Sequence, residues 1–172
     1  MLFRSASPTR ASALDADFGL QALAGRLGDA AAAPAVDAAV RRTTRHVAGV
    51  AYLVAGRAPE AIALLEAALG DAPPASPARA DVLADLSAAH AEFAEFAERS
   101  AREHWVKALR AADDALALDA THATARFNHA LALERLARTD DARRAWQALA
   151  ADVTLATGWR DEAAGHVRTL AP

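Results

Sequence analysis

Six histidines, several adjacent carboxylates and a set of clustered arginines are the residues whose types could do chemistry here, and spacing decides which chemistry is open to them. His122 and His129 are seven residues apart, about two helical turns, whereas His46, His90, His104 and His166 have no histidine or carboxylate at consistent ligand spacing. No metal site is expected. The pairs Asp113-Asp114, Asp140-Asp141 and Asp161-Glu162 fall at predicted turns or helix ends, where carboxylates act as caps or solvated surface. Neither a GxSxG elbow nor a glycine-rich phosphate loop occurs, and Gly25 and Gly28 form an isolated pair beside a predicted helix end. Cysteine is absent, which excludes a disulfide framework, cysteine-ligated zinc, an iron–sulfur cluster and a cysteine nucleophile. The reading is a non-enzyme without a cofactor.

Arg41, Arg42 and Arg45 form one basic cluster, and Arg135, Arg138, Arg143 and Arg144 another. With a net charge of -3 and no interleaved aromatic motif, these clusters do not predict nucleic-acid binding. The N-terminal stretch has no apolar run of signal-peptide length before Asp15, so a cytoplasmic protein is expected. The longest apolar run, 47 to 56, is about half of a bilayer span, and no membrane association follows.

The elements that must position these residues are helices. About fifty residues are alanine and only 5% are aromatic, a composition that favours helix over strand. At 172 residues, against roughly 150 per domain, the chain has room for one domain or a short array of repeats.

A 34-residue frame brings out self-similarity. In 42–75, Gly49, Tyr52, Ala61, Leu65, Ala68 and Pro73 stand at stations 8, 11, 20, 24, 27 and 32. In 80–120, Leu86 and Ser87 stand at 7 and 8, and after about nine extra residues Ala108, Ala112 and Ala115 stand at 20, 24 and 27. In 123–156, Ala130, Leu133, Ala142, Trp146 and Leu149 occupy 8, 11, 20, 24 and 27. Small residues are needed where paired helices approach closely, and the larger ones fill the space left over.

Predicted helices cover 13–27, 36–55, 59–70, 78–94, 102–118, 122–136, 139–151 and 158–169. The break inside 92–103 is left open. Residues 1–40 are expected to be a partly flexible helical extension, 41–172 the repeat domain, and 158–170 a capping helix over the third unit.

Three stretches carry a resemblance to a known family: 46–53 (His46-Val47-Ala48-Gly49-Val50-Ala51-Tyr52-Leu53), 85–90 (Asp85-Leu86-Ser87-Ala88-Ala89-His90), and 115–146, which includes 125–134 (Ala125-Arg126-Phe127-Asn128-His129-Ala130-Leu131-Ala132-Leu133-Glu134). The chain resembles tetratricopeptide-repeat proteins, and within them the repeat region of bacterial CHAT-domain proteins. It departs from the repeat pattern at station 4, where Arg45 and Arg126 replace a tryptophan, and at Ala48, which stands where leucine is usual.

The resemblance implies an all-α fold: antiparallel hairpins stacked as a right-handed solenoid of about three repeats with a C-terminal capping helix. It further implies a concave groove lined by Val50, Leu53, Asp81, Asp85, Thr124, Phe127, Asn128, Leu131 and Arg135, with Asn128 placed to hold a ligand's backbone. The expected function is a protein- or peptide-binding scaffold. Two other readings stand beside it: a regulatory or substrate-docking region of a larger bacterial enzyme such as a CHAT-type peptidase, and a self-associating spacer.

Overall fold

Alanine-rich stretches separated by proline, glycine and aspartate become eight helices in the computed structural model, which describes residues 10–31 and 37–170. They are α1 (Arg10–Ala31), α2 (Ala38–Val54), α3 (Ala58–Gly70), α4 (Pro77–Phe96), α5 (Ala101–Leu118), α6 (Ala123–Arg135), α7 (Thr139–Ala151) and α8 (Thr157–Thr169). Among the described residues there is no strand, and the fold is all-α. Among the described residues no helix is long and apolar enough to cross a membrane. Part of the flexibility expected of 1–40 falls on 1–9 and 32–36, outside the described residues.

The helix starts have local causes. The Asp37 carboxylate accepts from the Ala39 and Val40 amides, and the Ser76 hydroxyl accepts from Arg79 N–H ahead of Pro77. His122 caps α6 by accepting from Ala125 N–H. Sequence and structure differ most at α1, which runs through Gly25 and Gly28 instead of ending beside them. A helical glycine costs only about 0.5–1 kcal/mol against alanine, too little to stop a 22-residue helix. The extra residues of the second unit lengthen both of its helices, to 20 and 18 residues, and the break falls at 97–100.

The chain divides into two compact parts after Ala72, within the proline-rich linker, and α1 belongs with α2 and α3. In the first part α2 packs on both α1 and α3. A Cβ added at Gly49 would lie 2.8 Å from Leu65 Cγ, so station 8 is small because station 24 fills the space above it. In the second part α4 packs on α5 and α6, α6 on α5 and α7, and α7 on α8. Its core joins Phe127, Ala130, Leu133, Ala142, Trp146, Leu149 and Ala163. A neighbouring cluster joins Ala91, Ala94, Trp105, Ala108 and Ala132.

The α2–α3 and α6–α7 hairpins repeat each other 81 positions apart. Gly56 and Ala137 both take the left-handed conformation, at φ 71° and 58°. The amides of Arg57 and Arg138 then donate to Tyr52 O and Leu133 O, each at 2.9 Å. Arg57 pairs with Glu60 and Arg138 with Asp141, both three residues on. At the other end of the hairpin, Arg45 Nη1 meets Asp71 Oδ2 at 2.7 Å and Arg126 Nη1 meets Asp152 Oδ2 at 2.5 Å, with 26 residues between partners in both. Station 4 therefore holds an arginine because a carboxylate closes the hairpin opposite it.

Two outcomes follow. Gly49→Ala should lose about 1–3 kcal/mol in a thermal or urea melt, since Leu65 is fully buried and must move. Ala137→Gly should gain roughly 0.5 kcal/mol, because the left-handed alanine costs about 1–2 kcal/mol and the added chain entropy returns about 0.4–1.

Candidate binding surface

The residues expected to line a groove fall into three groups. Val50 and Leu53 are half-buried on α2, beside the exposed Val40, Val47 and Val54 of the same helix. Asp81, Asp85, Thr124, Leu131 and Arg135 lie on α4 and α6, which pack together in the second part. Asp81 and Arg135 are exposed, and Asp85, Thr124 and Leu131 are half-buried.

Phe127 and Asn128 are placed otherwise. Both are 8% exposed. Phe127 meets Trp146 and Trp159 edge-on, with ring centroids 4.9 and 5.2 Å away. Asn128 Nδ2 donates to Ala84 O at 3.0 Å, so its amide ties α6 to α4. A residue on the contact side of α6 has the neighbouring helix as its partner, and the 34-residue frame does not distinguish that side from the solvent side next to it.

Charge on the α4–α6 face is largely matched. His122 Nε2 sits 3.2 Å from Asp81 Oδ1. Arg135 Nη2 pairs with Glu95 at 2.8 Å, and its guanidinium lies over the Trp105 ring, 5.6 Å from the centroid. Thr124 and Leu131, both half-buried, share one stripe of α6 with Asn128 and Arg135, and Leu131 also packs against both core clusters.

Other polar clusters hold helices together. Glu134 Oε2 accepts from Trp146 Nε1 at 2.7 Å and meets His166 Nδ1 at 2.8 Å, while the His166 ring stacks on Trp146 at 4.1 Å. One carboxylate thus joins α6, α7 and α8. Arg143 adds two donors to Leu170 O, at 3.2 and 2.9 Å. In the α4–α5 hairpin the Nδ1 atoms of His90 and His104 are 3.1 Å apart, and Phe93 stacks on His104 at 4.1 Å. Among the described residues no three histidine, aspartate or glutamate side chains converge as a metal site would need.

The shifts in acidity follow from these contacts. Burial, then the neighbouring His104 and Lys107, brings His90 down from 6.5 to about 4. Burial and Lys107 also lower His104, and burial lowers His129 against the opposing pull of Asp113. Hydrogen bonds from Arg126 and Thr154 hold Asp152 at about 2, and Arg41, with Arg45 beside it, holds Asp71 below the ordinary range.

Frame reading passed over the Arg–Asp ties, although arginine and aspartate 26 residues apart in two units was a usable signal. The contacts of His90 with His104 and of Glu134 with His166 had no such signal, because they depend on where two helices cross.

Two measurements check this arrangement. His90 has a folded value below its unfolded one, so the stability it contributes is complete above pH 6.5 and is lost as pH falls toward about 4. His104 and His129 act in the same direction. Replacing His90 and His104 together by leucine should flatten the urea-melt midpoint between pH 6.5 and 4, with His129 leaving a residual slope. Phe127→Ala should cost about 3–4 kcal/mol, and Asn128→Ala about 1 kcal/mol by removing the hydrogen bond that ties α6 to α4.

Comparison of the chain with protein families, with curated proteins and with solved structures finds no match.

Proposed function

We propose that this chain is a non-enzymatic binding scaffold of the tetratricopeptide type, an α-solenoid of about three hairpins and a closing helix. It takes up a protein or peptide segment on the first helices of its hairpins. The observation that carries this reading is the hairpin built twice with one set of parts: a left-handed residue at the turn, an arginine bonded three residues on, and an Arg–Asp tie across 26 residues. Repetition of that kind builds extended surfaces in arrays of helix pairs.

The working surface in the second part is the face of α4 and α6. A partner's apolar side chain buries against Leu131 while Asp81 and Asp85 attract basic groups. Arg135, held by Glu95, presents donors at the rim. Contacts of this size give micromolar affinity, about 8 kcal/mol.

Selection from a displayed peptide library on the purified chain, followed by calorimetric titration of the selected peptides, tests the reading. Asp81→Lys combined with Arg135→Glu reverses two exposed charges, and it should weaken those peptides by about tenfold or more while leaving the far-UV spectrum unchanged. Peptides that bind the reversed protein as well as the original would defeat the assignment. So would a selection that yields nothing tighter than about 100 µM.

A further inference from the structure

The helix α8 repeats α6. Both have 13 residues, their first residues are 34 positions apart, and both end at a leucine cap with nearly the same backbone, φ -86° and ψ 7° at Leu136, φ -90° and ψ 4° at Leu170. The fourth residue of each is arginine, Arg126 and Arg160.

Their surroundings differ. Arg126 is received by Asp152, as Arg45 is by Asp71. Arg160 donates from Nη2 to Thr157 Oγ1 at 3.2 Å, and its Nε is buried with no hydrogen-bond partner, the one such side-chain atom among the described residues. A buried donor left unpaired costs about 1–3 kcal/mol, and where Arg45 and Arg126 each offer Nη1 to an aspartate, Arg160 has no carboxylate partner among the described residues.

The apolar residues beside it agree. On α6, Ala130 and Leu133 are 0% and 2% exposed. Their counterparts on α8, Ala164 and Val167, are only half-buried, whereas Ala163 is fully enclosed by the core of α6 and α7.

We propose that the outer face of α8 is a docking site for an amphipathic helix of a partner protein. The helix lies against α8 as α7 lies against α6, with a small residue over Ala164 and an aspartate or glutamate near its C-terminal end bonded to Arg160. A second copy of this chain is a poor source, because its two carboxylates of this kind, Asp71 and Asp152, are already held by Arg41, Arg45 and Arg126. The site is separate from the α4–α6 face, so it stands or falls independently of the function proposed above.

The probe is a fluorescently labelled peptide with the sequence of residues 137–154, which contains α7 and the aspartate at its end. Titrated with the full chain, it should give saturable anisotropy below about 1 mM. An asparagine at the position of Asp152 in the peptide should weaken binding about fivefold or more. Against Arg160→Met protein, the aspartate and asparagine peptides should bind alike.

Arg160→Met gives up the exposed Nη2 bond to Thr157 and also removes the unpaired Nε, opposing effects that should leave it folded and melting close to the parent. Should it fail to fold, Arg160→Gln, which keeps a polar side chain and loses the charge, takes its place with the same expectation. Absence of saturation, equal binding of the two peptides to the parent chain, or dependence on Arg126 in place of Arg160 would each overturn the proposal. So would light scattering that shows self-association abolished by the Arg160 substitution, since a second copy would then cover the face.

Discussion

Two helices can approach only as far as the side chains between them allow, and in this chain that distance is set by residues with one side-chain carbon or none. Gly49 leaves room for Leu65, and a single methyl there would intrude on it. Ala61 and Ala68 on α3, and Ala130 and Ala142 in the later hairpin, are fully buried for the same reason. Each small residue removes little apolar surface from water, about 0.8 kcal/mol per buried methylene. The side chains of Leu65, Trp146 and Leu149 are the largest that are fully enclosed, and they fit because their neighbours are small.

Close packing leaves polar ends to be satisfied, and the Arg–Asp tie does this at the open end of the hairpin. Asp71 and Asp152 sit just after α3 and α7, where helix carbonyls lack partners, and each receives an arginine from the preceding helix. Partly exposed pairs of this kind add little to overall stability, so their value is in register: they set where one helix begins relative to where the next ends. The hairpin between them in sequence has Leu83 and Leu118 at these stations and holds its helices differently. There the Ser87 hydroxyl donates to Ala108 O at 2.7 Å, and His90 meets His104 farther along.

Polar side chains on the contact sides of α4 and α6 follow the same logic. Asn128 bonds to the α4 backbone, and Glu134 gathers Trp146 and His166. Groups with hydrogen-bonding capacity are spent on fixing helices: Asp81 meets His122 and Arg135 meets Glu95, while Leu131, on the same stripe of α6 as Asn128, packs against two core clusters. The same principle makes Arg160 informative, since it is the member of a repeated set whose fixing partner is missing.

The positions of the helices and the phase of the hairpins were legible in the chain itself. Helix propensity, caps such as Asp37 and Ser76, and the proline-rich linker act over a few residues, and the small-residue stations recur in the same order in each unit. Local signals could not assign Phe127 and Asn128 to the core side of α6, or bring His90 to His104 and Glu134 to His166. Nor could they show that Arg160 lacks the carboxylate that Arg126 has. Those outcomes depend on the crossing of helices remote in sequence, where a rotation of one residue, about 100°, moves a side chain from solvent to contact. Composition and period determined that the chain forms paired helices; tertiary packing decided which of their polar groups meet, because those contacts depend on how helices remote in sequence cross.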